Sequence, residues 1–325
     1  MSLASKYGDR ELVKGLGIYK DMRLDAMPPE YRARFLSRPH EFFVDPFCVE
    51  GNLYFIGNRE IGCYLIDSGD GLIVIDTGYE FTAGQLFNSI WMLGFDPRNI
   101  KHVFHTHNHN DHIAATNLIV KMSGARTYMS EVDGKAMVES MTAKPSMRYA
   151  AIGAPSIKFV PDVYTHDEES FTIGNTTITC YDTPGHSRGC QSFVFNVEGH
   201  DGKTYTAGIH GGLGILSLHK EFMEAEGYYS ARDEFFAQLR KVVDLPVDIY
   251  LGSHTLQGNM MEKLEKRKAD PNGPNPFIDP TEWKKMINTA WVQAMQLIDD
   301  EENGNTPEWQ KKMYADILKQ SGNSK

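Results

Sequence analysis

The chain has 325 residues, enough to bury one large core or two ordinary ones without disulfide or metal staples. Lys and Arg number 33 against 43 Asp and Glu, a formal net charge of −10 that argues against phosphate-backbone attraction, so no nucleic-acid partner is expected. At 41% hydrophobic and 23% charged it reads as an ordinary globular protein, with no run near the ~20 apolar residues of a membrane span, so no membrane partner is expected either.

Residues 1–45 are charged and interrupted by Pro28, Pro29 and Pro39, with Pro29 placed to open a short helix through Tyr31, Phe35 and Leu36. They are expected to form an N-terminal arm or lid on a domain spanning residues 46–325. The start, Met1-Ser2-Leu3, shows no apolar export segment, so a cytoplasmic location is expected as the sequence stands. A periplasmic or secreted one is expected instead if those residues replace a removed signal.

From Leu53 the texture changes to short β-branched and aromatic runs at 53–56, 63–66 and 72–75, separated by Gly and Asn turns, which predicts a sheet. Thr82 is placed to cap a helix with Leu86, Ile90, Trp91 and Leu93 on one side, ended by Gly94. Residues 100–105 then read as another strand. Further strands are expected around 157–160, 176–182, 191–197 and 204–207, and a helix capped by Ser230 carries Phe235, Phe236, Leu239 and Val243. The proline-rich stretch 270–280 reads as a surface connection. After it Trp283, Ile287, Ala290, Trp291, Ala294 and Ile298 form an apolar helical stripe that belongs in a core. The pattern is two sheet-plus-helix halves. Cys48, Cys63, Cys180 and Cys190 lack CxxC spacing and read as buried thiols.

The informative segment is Val103-Phe-His-Thr-His-Asn-His-Asn-Asp-His112. With 12 histidines in 325 residues, an eight-residue window should hold about 0.3 of them, yet His105, His107, His109 and His112 stand together. A strand ending near Phe104 releases this segment into a loop, where His107, His109, Asp111 and His112 can point in different directions. A helical H-E-x-x-H pair would share one face. Neutral imidazole is a preferred zinc ligand, and a carboxylate beside it serves a second ion. Two more histidines sit at expected strand ends: His186 in Asp182-Thr-Pro-Gly-His-Ser-Arg-Gly189, and His254 in Asp248-Ile-Tyr-Leu-Gly-Ser-His254.

The H-x-H-x-D-H signature, the Thr-Pro-Gly-His turn, the late Gly-Ser-His and Leu72-Ile-Val-Ile-Asp-Thr-Gly78 together resemble the metallo-β-lactamase superfamily. Asn275-Pro-Phe-Ile-Asp-Pro280 and the helix after it further resemble the third subclass of class B β-lactamases. The resemblance implies an α+β fold, a four-layer αββα sandwich, with a dinuclear zinc site at its edge. It assigns His107, His109 and His186 to the first zinc and Asp111, His112 and His254 to the second. Asp76 is the candidate for orienting the ligand loop. The aspartate that bridges the metals in glyoxalase II-like thioesterases is missing, because after Thr206-Ala207-Gly208 the chain continues Ile209-His210-Gly211-Gly212.

The function these residues and their resemblance imply is that of a dinuclear zinc-dependent hydrolase opening a cyclic amide of a small-molecule substrate, with a β-lactam as the reference. Asp111 is expected both to ligate zinc and to orient the attacking hydroxide. A lactonase or other ester hydrolase with the same site is the alternative. An iron-dependent oxidoreductase is a further one, since histidine and carboxylate ligation suits iron as well. Among the remaining candidates, His102 and His105 read as packed or solvated imidazoles, Cys190 as a small buried hydrophobe and Asp182 as a strand-end hydrogen-bond partner. His210 either lines the pocket where the bridging aspartate is absent or caps a turn. The acidic stretch 221–229 either covers the pocket mouth or is a solvated loop.

Overall fold

The structure, a computed structural model, describes residues 3–8, 10–22, 24, 29–140, 159–308, 310–312 and 315–316. Short β-branched and aromatic runs pair into one sheet through β1 (Phe47–Glu50), β2 (Leu53–Phe55), β3 (Tyr64–Asp67), β4 (Leu72–Ile75), β5 (Ile100–Phe104), β6 (Arg126–Ser130) and β7 (Val163–Thr165), in that spatial order. Pairing is antiparallel as far as β4 and parallel from β4 to β7. A second sheet of β8 (Ser170–Ile173), β9 (Thr176–Asp182), β10 (Gln191–Glu198), β11 (Thr204–His210) and β12 (Ile249–Gly252) has the order β12-β11-β10-β9-β8, with only β11 and β12 parallel.

The period-two alternation of side chains sorts each strand into two faces. Tyr64, Ile66, Ile73, Ile75 and Phe104 point to the inter-sheet core and meet Ile178, Phe193, Phe195, Val197 and Ile209 from the other sheet. Leu65, Val74 and Val103, one residue out of phase, face the opposite way and pack on Leu86, Ile90 and Ile119 of the helices Ala83–Met92 and Thr116–Ser123. The outer side of the second sheet is covered by the helices Ala231–Val242 and Glu282–Glu302, with Phe235, Phe236, Trp283 and Trp291 in their shared core. Each such fully buried apolar side chain contributes roughly 1.5–3 kcal/mol of transfer free energy. The layers are therefore α, β, β, α, as the resemblance implied.

The arm runs along the outer helix. Val13 and Asn288 exchange hydrogen bonds (2.8 and 2.7 Å), the Tyr19 N–H donates to Thr289 Oγ1 (3.0 Å), and the Leu24 N–H donates to Gln293 Oε1 (3.0 Å). The Pro29–Ser37 helix forms where Pro29 predicts it, and its Phe35 packs on Phe42 and Tyr79.

Several local expectations need correction. Residues 157 and 158 of the expected strand 157–160 lie outside the described residues; Phe159 and Val160 are not in a strand, and pairing with β6 begins at Val163. Trp91 is 53% exposed, because the Ala83–Met92 helix buries only a narrow face against the sheet. Thr82 and Ser230 occupy the N-cap positions without capping through their side chains; the Thr82 hydroxyl donates to the Tyr79 carbonyl (2.9 Å). The 270–280 connection is not wholly superficial, since Phe277 is fully buried and packs at a tilt against Phe47. All four cysteines are free thiols, and only Cys48 keeps some exposure. Among the described residues no helix is long and apolar enough to cross a membrane.

Candidate metal centre

Four strands deliver the site from their C-terminal ends, where an α/β sheet opens its crevice. Asp76 comes directly after β4, the His107–His112 segment after β5, His186 after β9 and His254 after β12. The chain after β5 stays extended until His109 opens the four-residue helix Asn110–Ile113, which carries Asp111 and His112. Extended geometry throws His107 and His109 to one region, and the helical turn sends the next pair to another.

The result is two triads. The donor atoms of His107, His109 and His186 lie within 4.8 Å of one another, as do those of Asp111, His112 and His254. They adjoin, since the ring centroids of His107 and His112 are 4.2 Å apart. Within the second triad an Asp111 oxygen lies 3.5 Å from His112 Nε2 and 3.7 Å from His254 Nε2. All six residues singled out in the sequence are thus brought together.

The hydrogen-bond network sets the tautomers. Asp76 Oδ1 accepts the Thr106 N–H (2.9 Å) and Oδ2 accepts the Thr106 hydroxyl (2.7 Å). With its proton so committed, Thr106 Oγ1 must accept from His107 Nδ1 (2.9 Å). His112 Nδ1 donates to Asp76 Oδ2 (2.8 Å), and His186 Nδ1 donates to the Gly214 carbonyl (2.8 Å). In each ring Nε2 is left as the deprotonated, ligand-type nitrogen, the arrangement by which outer partners orient metal-binding histidines. The His254 ring hydrogen-bonds the Glu60 carbonyl; desolvation, its largest influence, lowers its pKa to about 4 although the Asp111 charge pulls upward, so it is neutral at pH 7. Asp76 itself has φ +55°, a left-handed conformation that Asp tolerates better than most residues and that is retained here by its three side-chain hydrogen bonds.

Other contributors belong to no metal-ligand motif. Asp133, almost fully buried, accepts the Asn108 N–H (3.0 Å) and the Ser187 hydroxyl (2.7 Å) on one oxygen and the Gly189 N–H (2.8 Å) on the other. It ties the loop of His107 and His109 to the turn of His186. Its sequence signal is Ser130-Glu-Val-Asp133, in which Ser130 caps the helix Glu131–Glu139. Gly212 packs on His186 so closely that a Cβ there would come within 2.4 Å of the imidazole. Glu60 is 3% exposed; burial pushes its carboxyl up to about 7, opposed by a hydrogen bond from Tyr31 and reinforced by the nearby Asp111 charge.

The remaining candidates lie outside the two triads. His210 is fully buried and caps a turn: its Nδ1 accepts the Gly212 N–H (3.2 Å) and its Nε2 donates to Gln238 (3.0 Å), so it does not line the pocket. Desolvation lowers its pKa to about 4. His105 is buried beside Thr116, and His102 pairs with the Tyr128 hydroxyl. Asp182 accepts from Gln191 at the strand end (2.8 Å), and Cys190 is buried. The acidic stretch forms the helix Lys220–Glu226, joined to the His186 turn by Arg188, which donates to the Glu226 and Gly227 carbonyls (3.3 and 3.1 Å). A third cluster, His219, Glu221 and Glu301, has its countercharge in Arg232, which binds the Glu301 carboxylate.

Two adjoining histidine-rich triads at the edge of an αββα sandwich define a metallo-β-lactamase fold. Residues 57–199 match the family model of the metallo-beta-lactamase superfamily. One similar protein is the probable polyketide biosynthesis zinc-dependent hydrolase PksB of Bacillus subtilis, 26% identical over 144 residues, which are 44% of this chain and about half, 54%, of that relative. Among solved structures, the native FEZ-1 metallo-beta-lactamase of Legionella gormanii superposes with a TM-score of 0.73 at 28% identity, covering 80% of this chain and 98% of that one. The class B3 di-zinc metallo-beta-lactamase LRA-12 from an Alaskan soil metagenome gives 0.67 at 26% identity, covering 81% and 95%.

Proposed function

We propose that this protein is a dinuclear zinc-dependent hydrolase that opens a cyclic amide of a small molecule, with β-lactams as the reference substrate. The observation that carries the reading is the adjacency of the two triads, with His107 and His112 centroids 4.2 Å apart and an Asp111 oxygen between the Nε2 atoms of His112 and His254. Five imidazoles and one carboxylate are a donor set suited to zinc, and the Nδ1 hydrogen bonds of His107, His112 and His186 leave Nε2 of each as the donor. His107, His109 and His186 would hold one ion, and Asp111, His112 and His254 the other. Zinc bound there supplies Lewis acidity and lowers the pKa of water toward ~7, which makes a nucleophile available at neutral pH.

The chain's own contribution is orientation and proton handling. Asp76 fixes Thr106 and His112 together, so both triads keep one register. Asp111 offers one oxygen as a ligand and the other to orient the attacking water and take its proton. The water oxygen then forms the bond to the carbonyl carbon, the C–N bond breaks, and the proton passes to the departing nitrogen. A probable zinc-dependent hydrolase similar in sequence and a di-zinc metallo-beta-lactamase similar in fold support the choice of metal and of reaction class.

The test is hydrolysis of a chromogenic cephalosporin by protein of measured zinc content, alongside His107→Ala. Turnover by the two-zinc protein, lost in the variant, is the expected result. A zinc-loaded protein that leaves the cephalosporin intact would reject β-lactams as substrates and redirect the assay to lactones and other esters. Full turnover without metal would overturn the mechanism.

A further inference from the structure

The two triads are backed by different parts of the molecule. Behind His107, His109 and His186 stand Asp133 and the Gly212–Gly214 turn, neither of which belongs to the arm helix Pro29–Ser37. Both segments that carry the second triad, in contrast, rest on residues that this helix contacts.

The first is the loop of residues 58–62. Asn58 Oδ1 accepts the N–H groups of Glu60 and Ile61 (2.8 and 2.9 Å), which folds the loop into a tight turn. That turn aims the Glu60 carbonyl at the His254 ring and at the Thr255 N–H (3.1 Å), while the Gly62 N–H donates to the Ser253 carbonyl (2.9 Å). Glu60's carboxyl pairs with the Tyr31 hydroxyl, from the arm helix. Its Oε1 is buried without a hydrogen-bond partner, and the loop is tied to the arm helix by a second route, since the Arg59 N–H donates to the carbonyl of Phe42, on which Tyr31 and Phe35 pack (2.9 Å). Tyr31 is seated in turn by an edge contact on Phe42 at 5.3 Å between centroids.

The second segment is Asp111–His112. The Thr77 N–H donates to the His112 carbonyl (2.8 Å), and the Gly78 carbonyl accepts from Ala114 (3.1 Å) and Ala115 (3.3 Å). Tyr79, the next residue, packs on Phe35 of the arm helix at 5.5 Å between centroids. One helix therefore braces both arms of the same triad, through Tyr31 to Glu60 and His254 and through Phe35 to Tyr79 and His112.

We propose that docking of the arm helix Pro29–Ser37 and metal binding at Asp111, His112 and His254 are energetically coupled, with Glu60 and Tyr31 as positioning residues for His254. The inference rests on the reading of that triad as a metal site. Linkage makes the coupling reciprocal: the helix raises the affinity of the second ion, and the second ion holds the helix down by the same factor. Partners that orient a metal-binding histidine are typically worth about 10–100-fold in affinity. Tyr31 acts one residue further out, so a loss of about tenfold is expected when its hydroxyl is removed.

The experiment is a cobalt titration of the metal-stripped full chain, monitored by visible absorption, for the wild type, Tyr31→Phe and Glu60→Gln, with hydrogen exchange of residues 29–37 measured at each stage of loading. The expected result is a second binding step about tenfold weaker in Tyr31→Phe with the first step unchanged. Glu60→Gln, whose amide oxygen still accepts from Tyr31, should stay near the wild type. Exchange of residues 29–37 should slow on the second step and not on the first, and less so in Tyr31→Phe. A second step unchanged in Tyr31→Phe, or both steps weakened alike, would overturn the coupling while leaving the hydrolase reading intact. A wild type that takes up no second ion would overturn both.

Discussion

The two triads share a chemistry and differ in how they are held. Each of the first triad's outer partners belongs to the body of the sandwich: Thr106 and Asp76 for His107, Asp133 for the loop between His107 and His109, and the Gly212–Gly214 turn for His186. The second triad shares Asp76 through His112, and the loops that carry it also rest on residues that the arm helix Pro29–Ser37 contacts. A site framed by strand ends and main-chain carbonyls is rigid at no extra entropic cost, whereas one framed by a docked surface helix inherits the lower local stability of that helix. One ligand set can thus combine a fixed half with an adjustable half.

The largest expected effect breaks the first half outright. His186→Ala or His107→Ala removes one of three ligands and should bring both bound zinc and hydrolysis to background, checked by metal analysis and turnover on the same sample. Retention of two zincs by either variant would contradict the assignment of the first triad.

Next comes acid. His210 supports the turn behind His186, and its folded pKa of about 4 lies below the ordinary value of 6.5. The unfolded imidazole therefore binds a proton that the folded one refuses, so this group lowers stability as pH falls from about 6.5 to about 4. The full drop is about 3 kcal/mol. Urea unfolding across that window should show a shallower slope in His210→Gln, which does not titrate, than in the wild type.

Asp133→Ala should weaken the first zinc by roughly 10–100-fold, read in a chelator competition, because it frees the His107–His109 loop from the His186 turn. Gly212→Ala puts a methyl against the His186 ring and should cost about 1–3 kcal/mol by overpacking, visible in thermal unfolding. The smallest change is Trp91→Ala: at 53% exposure on the outer helix the residue is far from such features, and stability should move by no more than about 0.5 kcal/mol.

The legibility of the site tracks chain proximity. His107, His109, Asp111 and His112 fall within six residues, and a strand ending near Phe104 already predicts a loop from which they can point in different directions, although the helical turn that separates the pairs was not legible. His186 and His254 are readable because each sits at an expected strand end, His186 on a Pro-Gly turn and His254 directly after an apolar run. Asp133 and Glu60 are not, since an acidic residue near a helix start or in a turn has many solvated uses, and only its burial among particular N–H groups reveals the role. Trp91 shows the same limit from the other side: helical periodicity assigns a face but does not say how wide a strip of it the sheet covers.

The sequence by itself determined most of the strand runs, the apolar helix stripes and the six candidate ligands, because periodicity and side-chain chemistry are local properties of the chain. Only the tertiary structure decided that His210 turns away into the core, that Asp76 serves both triads at once, and that the arm helix braces His254 through Tyr31 and Glu60. Those relations join residues tens to hundreds of positions apart, and it is the face-to-face packing of the two sheets that brings them within hydrogen-bonding distance.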